Sequence, residues 1–387
     1  MFIANRVHWR GIRQLESLKT AVAAVRAGWG PCRVSLHPGA DVDLKRARIA
    51  SGPTEAAHKL ACALAGAKYW AAEIDLVVVR NAVFLPLSST LVFPNNGICD
   101  ELEYSTKAAA SGIWLRGGEP RQVNRWQAKQ MENAEFQSGV HLLIHPKWHH
   151  IYTHWFTEAM VALYDPRIDR DVVDYVCVPG GPKYELDSLA LAGEDASKLK
   201  VLREPAYRLE IAVFPTHLLA RTMVHPAAAP ALRLFADKAL KHVAPMPKKY
   251  IYLSREDAKA RSMRNEGALA SALCDLGFTK LIATDLSFQE QVQAFSSASA
   301  LVSPHGSGLT NMLFAPKNAH ILELRPRYAG DRGELWDRSY HILADLLGLP
   351  YSLLVFENEK GEEGWDVDVD FAVNKVKEFM SRVDEKT

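Results

Sequence analysis

The chain has 387 residues, with 46 Lys and Arg against 45 Asp and Glu, a net charge of +1. That balance excludes a protein built chiefly to neutralise nucleic-acid phosphates or to adhere electrostatically to a membrane. Hydrophobic residues at 48% and charged residues at 24% are the composition of a folded globular chain, long enough for two ordinary domains.

The five cysteines, Cys32, Cys62, Cys99, Cys177 and Cys274, are odd in number and widely scattered, with no CxxC. They suit neither a disulfide framework nor a cysteine zinc site and point to a reducing compartment. Met1-Phe2-Ile3-Ala4-Asn5-Arg6 opens no long apolar region, and no window approaches the ~18 apolar residues of a membrane span. The expectation is a cytoplasmic protein without a transmembrane segment, whose membrane association, if any, is peripheral.

Residues 1–40 show no assignable period. Leu76-Val77-Val78-Val79 and Ala82-Val83-Phe84-Leu85, interrupted by Arg80-Asn81, read as a bent strand or a hairpin. His141 to Ile144 and Tyr175 to Val178 read as buried strands. Between them Trp155, Phe156, Ala159, Met160 and Leu163 form a helical stripe over 153–164, which makes strand, helix, strand. Residues 223–247 hold four prolines and a helical alanine-rich segment, as a connector between lobes would.

Beyond Pro247 strands at 250–254, 280–283, 300–303, 321–324 and 351–355 alternate with short helices, which predicts a parallel, doubly wound sheet. Ser287-Phe288-Gln289-Glu290 reads as a capping box. The tail, 357–387, has ten acidic and five basic residues, but Val373, Val376, Phe379 and Met380 predict a helix that docks. Asp370 is expected to cap it. Asp366, Asp368 and Asp370 alternate to one side, and that cap is a better account of them than a metal site. The predicted organisation is an N-terminal α/β lobe (1–225), a connector (226–247), a Rossmann-like lobe (248–356) and the tail.

The clearest chemical signal is Ser303-Pro304-His305-Gly306-Ser307-Gly308-Leu309-Thr310-Asn311. A Gly-x-Gly turn that ends a parallel strand and opens a helix presents backbone N–H groups where a phosphate can bind. A tight turn without a ligand is the plain alternative. The turn is neither a Walker A loop nor a nucleophile elbow. Residues 248–264 hold six basic and two acidic side chains. Arg255 and Arg261 are therefore candidates to converge on a diphosphate with Gly306 and Gly308. Glu323, an acid inside an apolar strand, needs a partner; ribose hydroxyls or Arg325 would each serve.

In the histidine-rich run 145–154, His150 and His154 have a metal-like spacing, but there is no HExxH and no third ligand is evident. His154 and Glu158, also four apart, form either a general base or an exposed, satisfied pair.

These segments together resemble glycosyltransferase family 61, the group that includes bacterial polysaccharide-assembly enzymes, plant wall xylosyl- and arabinosyltransferases and animal protein O-glycosylation enzymes. The resemblance lies in Tyr252-Leu253-Ser254-Arg255, Arg264-Asn265-Glu266, Leu286 to Gln291, Val302 to Pro316 (VSPHGSGLTNMLFAP) and Leu322-Glu323-Leu324-Arg325-Pro326. In the first half it lies in Tyr152 to Glu158, similar to the family's Asn-Tyr-x-His-Trp-x-x-Asp, with Ile151 in place of Asn and Glu158 in place of Asp. The resemblance, closest to the bacterial polysaccharide type, implies a GT-B architecture of two Rossmann-like lobes facing a central cleft. It also implies inverting transfer of a sugar from a nucleotide donor, such as a UDP-sugar, to a glycan or other hydroxyl acceptor, without a cofactor or obligatory metal. His305, Gly306, Ser307, Gly308, Leu309, Thr310, Glu323, Arg255 and Arg261 would hold the donor, and Glu158 or His154 would deprotonate the acceptor. A non-catalytic carbohydrate-binding relative is one alternative. A dinucleotide-dependent oxidoreductase is another, though GxGxxG is absent.

Overall fold

The strand Ile74–Leu85 is apolar along nearly its whole length and buried on both faces, so it needs partners on both edges. In the computed structural model it pairs antiparallel with Tyr207–Pro215 on one side and with Thr90–Val92 and Cys32–His37 on the other. It is one strand, not a hairpin. The bend falls at exposed Arg80 and Asn81, where Asn81 takes a left-handed φ of 53°. The described residues are 2–3, 5–7, 12–71, 73–94, 97–99, 122–123, 125–146, 148–216, 225–258, 262–327, 338–358 and 364–384.

The chain forms two compact units: Met1–Ala40 with Trp70–Ala190 and Glu194–Phe235, and Asp41–Tyr69 with Leu191–Gly193 and Ala236–Thr387. The first holds a ten-stranded sheet. Leu199–Leu202, Tyr175–Pro179, Glu135–Leu143 and Tyr207–Pro215 are parallel neighbours in that order, and Ile74–Leu85 turns the sheet antiparallel. Only this parallel part has the strand–helix alternation expected of a doubly wound lobe; the sheet as a whole is mixed.

Residues 152–164 form one helix with a π turn at its centre: the Met160 N–H reaches the Trp155 carbonyl, five residues back. The Thr157 hydroxyl donates to the Thr153 carbonyl at 2.7 Å, occupying an acceptor of the regular ladder. Trp155 through Tyr164 are all buried. The helix is therefore covered on every side, where the apolar stripe predicts one buried face.

The second unit holds a six-stranded, wholly parallel sheet in the order Phe278–Ile282, Lys249–Ser254, Ala298–Pro304, His320–Pro326, Tyr351–Phe356, Ala50–Ser51. His320–Pro326 and Tyr351–Phe356 are buried throughout, as parallel strands covered on both faces must be. The edge strand Ala50–Ser51 corrects the predicted boundary: residues 41–69 lie early in the chain but pack with this unit, because Tyr351–Phe356 offers them an open edge. In the 226–247 connector, Ala228–Leu240 is a helix within which the chain passes from one unit to the other.

One face of this sheet, through Tyr252, Val302, Leu322, Leu324 and Phe356, packs on Leu269 and Leu273 of helix Glu266–Asp275 and on Val376, Phe379 and Val383 of helix Val369–Asp384. The terminal helix is capped by Asp368, whose carboxylate accepts the Phe371 N–H at 2.9 Å; Asp370 lies already inside the first turn. The Ser287–Glu290 capping box is present. Among the described residues no helix is long and apolar enough to cross a membrane.

Candidate active site

In the second unit the strand order reverses between Lys249–Ser254 and Ala298–Pro304, which are adjacent although another strand separates them in sequence. The carboxyl ends of such strands form the ligand crevice of an open α/β sheet. Arg255 leaves the first strand there and His305-Gly306 the second. Arg255 Nη1 donates to the His305 carbonyl, and its guanidinium lies across Gly306. A Cβ on Gly306 would stand 2.5 Å from Arg255 Nε and 2.7 Å from Cζ. Gly306 has φ 171°, an extended conformation open to any residue, so it is close approach and not backbone freedom that calls for glycine. Gly308 is cramped in the same way, its Cβ direction meeting Leu253 Cδ2 at 2.8 Å.

The expected helix follows the turn at Ser307–Phe314, and it is a 3-10 helix. Its first internal bond runs from the Leu309 N–H to the Gly306 carbonyl at 3.0 Å, so the N–H groups of Gly306, Ser307 and Gly308 stand outside its ladder. Leu309 and Thr310 bury their side chains, leaving only their backbone for a ligand. Buried Asn311 donates to Gln291 at 3.1 Å, and Gln291 donates to the Ala283 carbonyl at 2.9 Å, so these two side chains anchor the turn. Arg261 lies outside the described residues.

Glu323 meets its need for a partner chiefly through His305 and Tyr351, with the charge of Arg325, one of the two expected partners, acting alongside. One carboxylate oxygen bonds His305 Nδ1 and the other accepts from the Tyr351 hydroxyl. Burial pushes the Glu323 carboxyl up, but the His305 ring, Arg325 and the Tyr351 hydrogen bond outweigh it and hold the group below its ordinary 4.5. Burial and the Glu323 charge push Tyr351 far upward, keeping it a neutral donor. Within the protein Glu323 therefore fixes the His305 ring behind the glycine turn.

Glu266 escapes sequence reading as a site residue. Its buried Oε1 accepts from the Tyr252 hydroxyl at 2.9 Å and from the Arg255 N–H at 2.7 Å, and Oε2 has no partner. Its neighbours Arg264 and Asn265 are fastened elsewhere, to Asp366 and to the Val367 backbone. The signal was an acid at the first turn of a helix directly after the Arg255 loop.

In the first unit, His154 Nδ1 and Glu158 Oε1 are 2.6 Å apart, with side-chain exposures of 22% and 1%. Glu158 is thus not on an open helix face, and its Oε2 is buried without a partner. Burial pulls the His154 imidazole down, but the Glu158 charge and hydrogen bond outweigh it and raise the ring above its ordinary 6.5. Since the carboxylate occupies Nδ1, the neutral ring presents Nε2 as its acceptor. Exposed His150 faces His149 and does not join His154 as a ligand pair. Buried His145 bonds Ser89 at 3.0 Å and is pushed down to about 3 by burial, with His149 adding to the effect, so it stays neutral. Among the described residues no three His, Cys, Asp or Glu side chains group as a metal site.

Residues 152–322 match the family described as Glycosyltransferase 61. No curated protein matches the chain.

Proposed function

We propose, from the match of residues 152–322 to the family described as Glycosyltransferase 61, that this chain is a glycosyltransferase of that family and an inverting, metal-independent enzyme of GT-B type. It transfers a sugar from a nucleoside-diphosphate donor, with UDP-sugars the first choice, to a hydroxyl acceptor. The observation that carries the reading is Arg255 laid across Gly306 at the switch point, beside three backbone N–H groups outside the helical ladder. A fixed guanidinium and a rosette of N–H groups suit a diphosphate and, without a metal, would carry the charge that develops as it leaves.

In this reading the acceptor oxygen attacks the anomeric carbon, the bond from that carbon to the diphosphate oxygen breaks, and the electron pair leaves with the diphosphate. The acceptor proton passes to His154 Nε2. Glu158 orients the ring and stabilises the imidazolium, a role its burial suits better than that of the base itself. Assembly of a surface polysaccharide in a reducing, cytoplasmic compartment is the setting we assign, supported by buried free thiols at Cys32 and Cys177.

A thermal-shift panel of UDP-, GDP-, CMP- and dTDP-sugars, with and without EDTA, tests the donor half. A shift with UDP-sugars that survives EDTA is expected. No shift with any nucleotide at millimolar concentration overturns it.

A further inference from the structure

The first unit contains a second imidazole–carboxylate pair that the reading above leaves unused. His149 Nδ1 lies 2.7 Å from Glu185 Oε1, and the other Glu185 oxygen accepts the Gly181 N–H at 3.0 Å. Glu185 is fully buried, while the His149 side chain is 21% exposed. The loop around the pair is shaped to it. A Cβ on Gly181 would come within 2.7 Å of Glu185 Oε1 and 2.8 Å of His149 Nδ1, and the Tyr184 hydroxyl donates to the His149 carbonyl at 3.1 Å.

The arrangement repeats that of His154 and Glu158. In each case a buried carboxylate takes Nδ1, so that the partly exposed ring, in its neutral form, has Nε2 as its hydrogen-bond acceptor. Among the described residues neither Nε2 has a partner. The partly exposed Trp148 ring completes the segment, its centroid 5.1 Å from that of His154. Two acceptor nitrogens and an indole within seven residues call for a ligand with two O–H donors and an apolar face. A saccharide has both; a serine side chain or a simple lipid alcohol offers one hydroxyl.

We propose that His149, held by Glu185, is the second imidazole of the acceptor site and that the acceptor is a saccharide. His154 takes the proton of the reacting hydroxyl, His149 accepts a hydrogen bond from a neighbouring hydroxyl of the same sugar, and Trp148 packs on the ring face. The fate of the reacting hydroxyl rests on the transferase reading; the sugar subsite does not. Glu185 is a positioning residue, acting through His149.

The test is a titration of the full chain, labelled with ¹⁵N-histidine, with methyl β-xyloside, methyl α-glucoside and, as a one-hydroxyl control, N-acetylserine amide. A glycoside is expected to move the side-chain resonances of His149 and His154 together. H149Q should weaken that binding at least fivefold while His154 still responds. E185Q should in addition change the His149 ring tautomer, which a merely structural role would leave alone; should E185Q fail to fold, H149Q decides, since it keeps the Glu185–Gly181 bond. The proposal is overturned if no glycoside moves either histidine, if His154 moves without His149, if H149Q binds like wild type, or if the serine amide binds as tightly. With the UDP-sugar that gives the largest thermal shift, glycoside-stimulated diphosphate release should show a raised acceptor KM at unchanged kcat in H149Q; a fallen kcat at unchanged KM overturns the proposal. Absence of any release in wild type fails the transferase reading, while the titration still decides the subsite.

Discussion

Arg255 and Gly306 occupy one another's space: a single added methyl on Gly306 would stand 2.5 Å from Arg255 Nε. The neighbour that must yield is the end of a long side chain, so Gly306→Ala should fold normally and swing the guanidinium out of place. A charge-assisted hydrogen bond from that guanidinium to a phosphate is worth about 1.5–3 kcal/mol. Calorimetry should show UDP affinity falling by about tenfold or more, with Arg255→Ala giving a similar loss. Wild-type affinity in Gly306→Ala would remove the glycine–arginine platform from the donor site.

Glu158→Gln should leave nucleotide binding intact and cut transfer by about 10²–10⁴, the scale of a disabled general base. His154→Ala should do the same. Loss of UDP binding in either variant would place this helix with the donor.

The His154–Glu158 pair also sets a pH dependence. The ring must be neutral to accept a proton, and its folded-state value is raised above 6.5. Transfer should therefore climb with pH through an apparent value above 6.5, and in Glu158→Gln that limb should shift to lower pH. The pair's contribution to stability has the opposite slope: fully present below the ordinary imidazole value, it is lost as pH rises through the raised one. A rate profile with its acid limb below 6.5 in wild type would exclude His154 as the base.

Glu323→Gln should lower the melting temperature strongly, because it leaves His305 and Tyr351 facing a neutral amide in a buried network. Breaking such a buried pair costs about 3–5 kcal/mol. The carboxyl is depressed when folded, so its stabilisation is complete above the ordinary 4.5 and fades as pH falls through the depressed value. Melting curves of wild type and variant should thus converge in acid. Curves that stay parallel from neutral pH down to acid would show that the charge of Glu323 contributes nothing.

Asp368→Ala should cost about 1 kcal/mol through loss of the cap on the terminal helix. Asp370→Ala should be close to neutral in urea unfolding. The reverse order would return the cap to Asp370.

Local pattern was enough to predict the parallel strands of the second unit between Lys249 and Phe356, though not its edge strand Ala50–Ser51. Five apolar runs with short helices between them could only bury their continuous hydrophobic surfaces in a parallel sheet, and the Ser287–Glu290 box and the glycine turn are signals within a few residues of sequence. The first unit was less legible. One strand alternation is compatible with several sheets, and nothing local announces that Ile74–Leu85 will run antiparallel through the middle of ten strands.

The chemistry divides in the same way. The sequence by itself determined which residue types follow the strands, Arg255 and the His305–Gly308 turn, and which stand one helical turn apart, His154 and Glu158. Only tertiary structure decided which partners the buried acids find. Glu323 meets Tyr351, Glu266 meets the Arg255 backbone, and Glu185 meets His149, across gaps of 28, 11 and 36 residues. The physical reason is that a buried carboxylate must find a donor wherever the fold supplies one, and that choice depends on strand order and register.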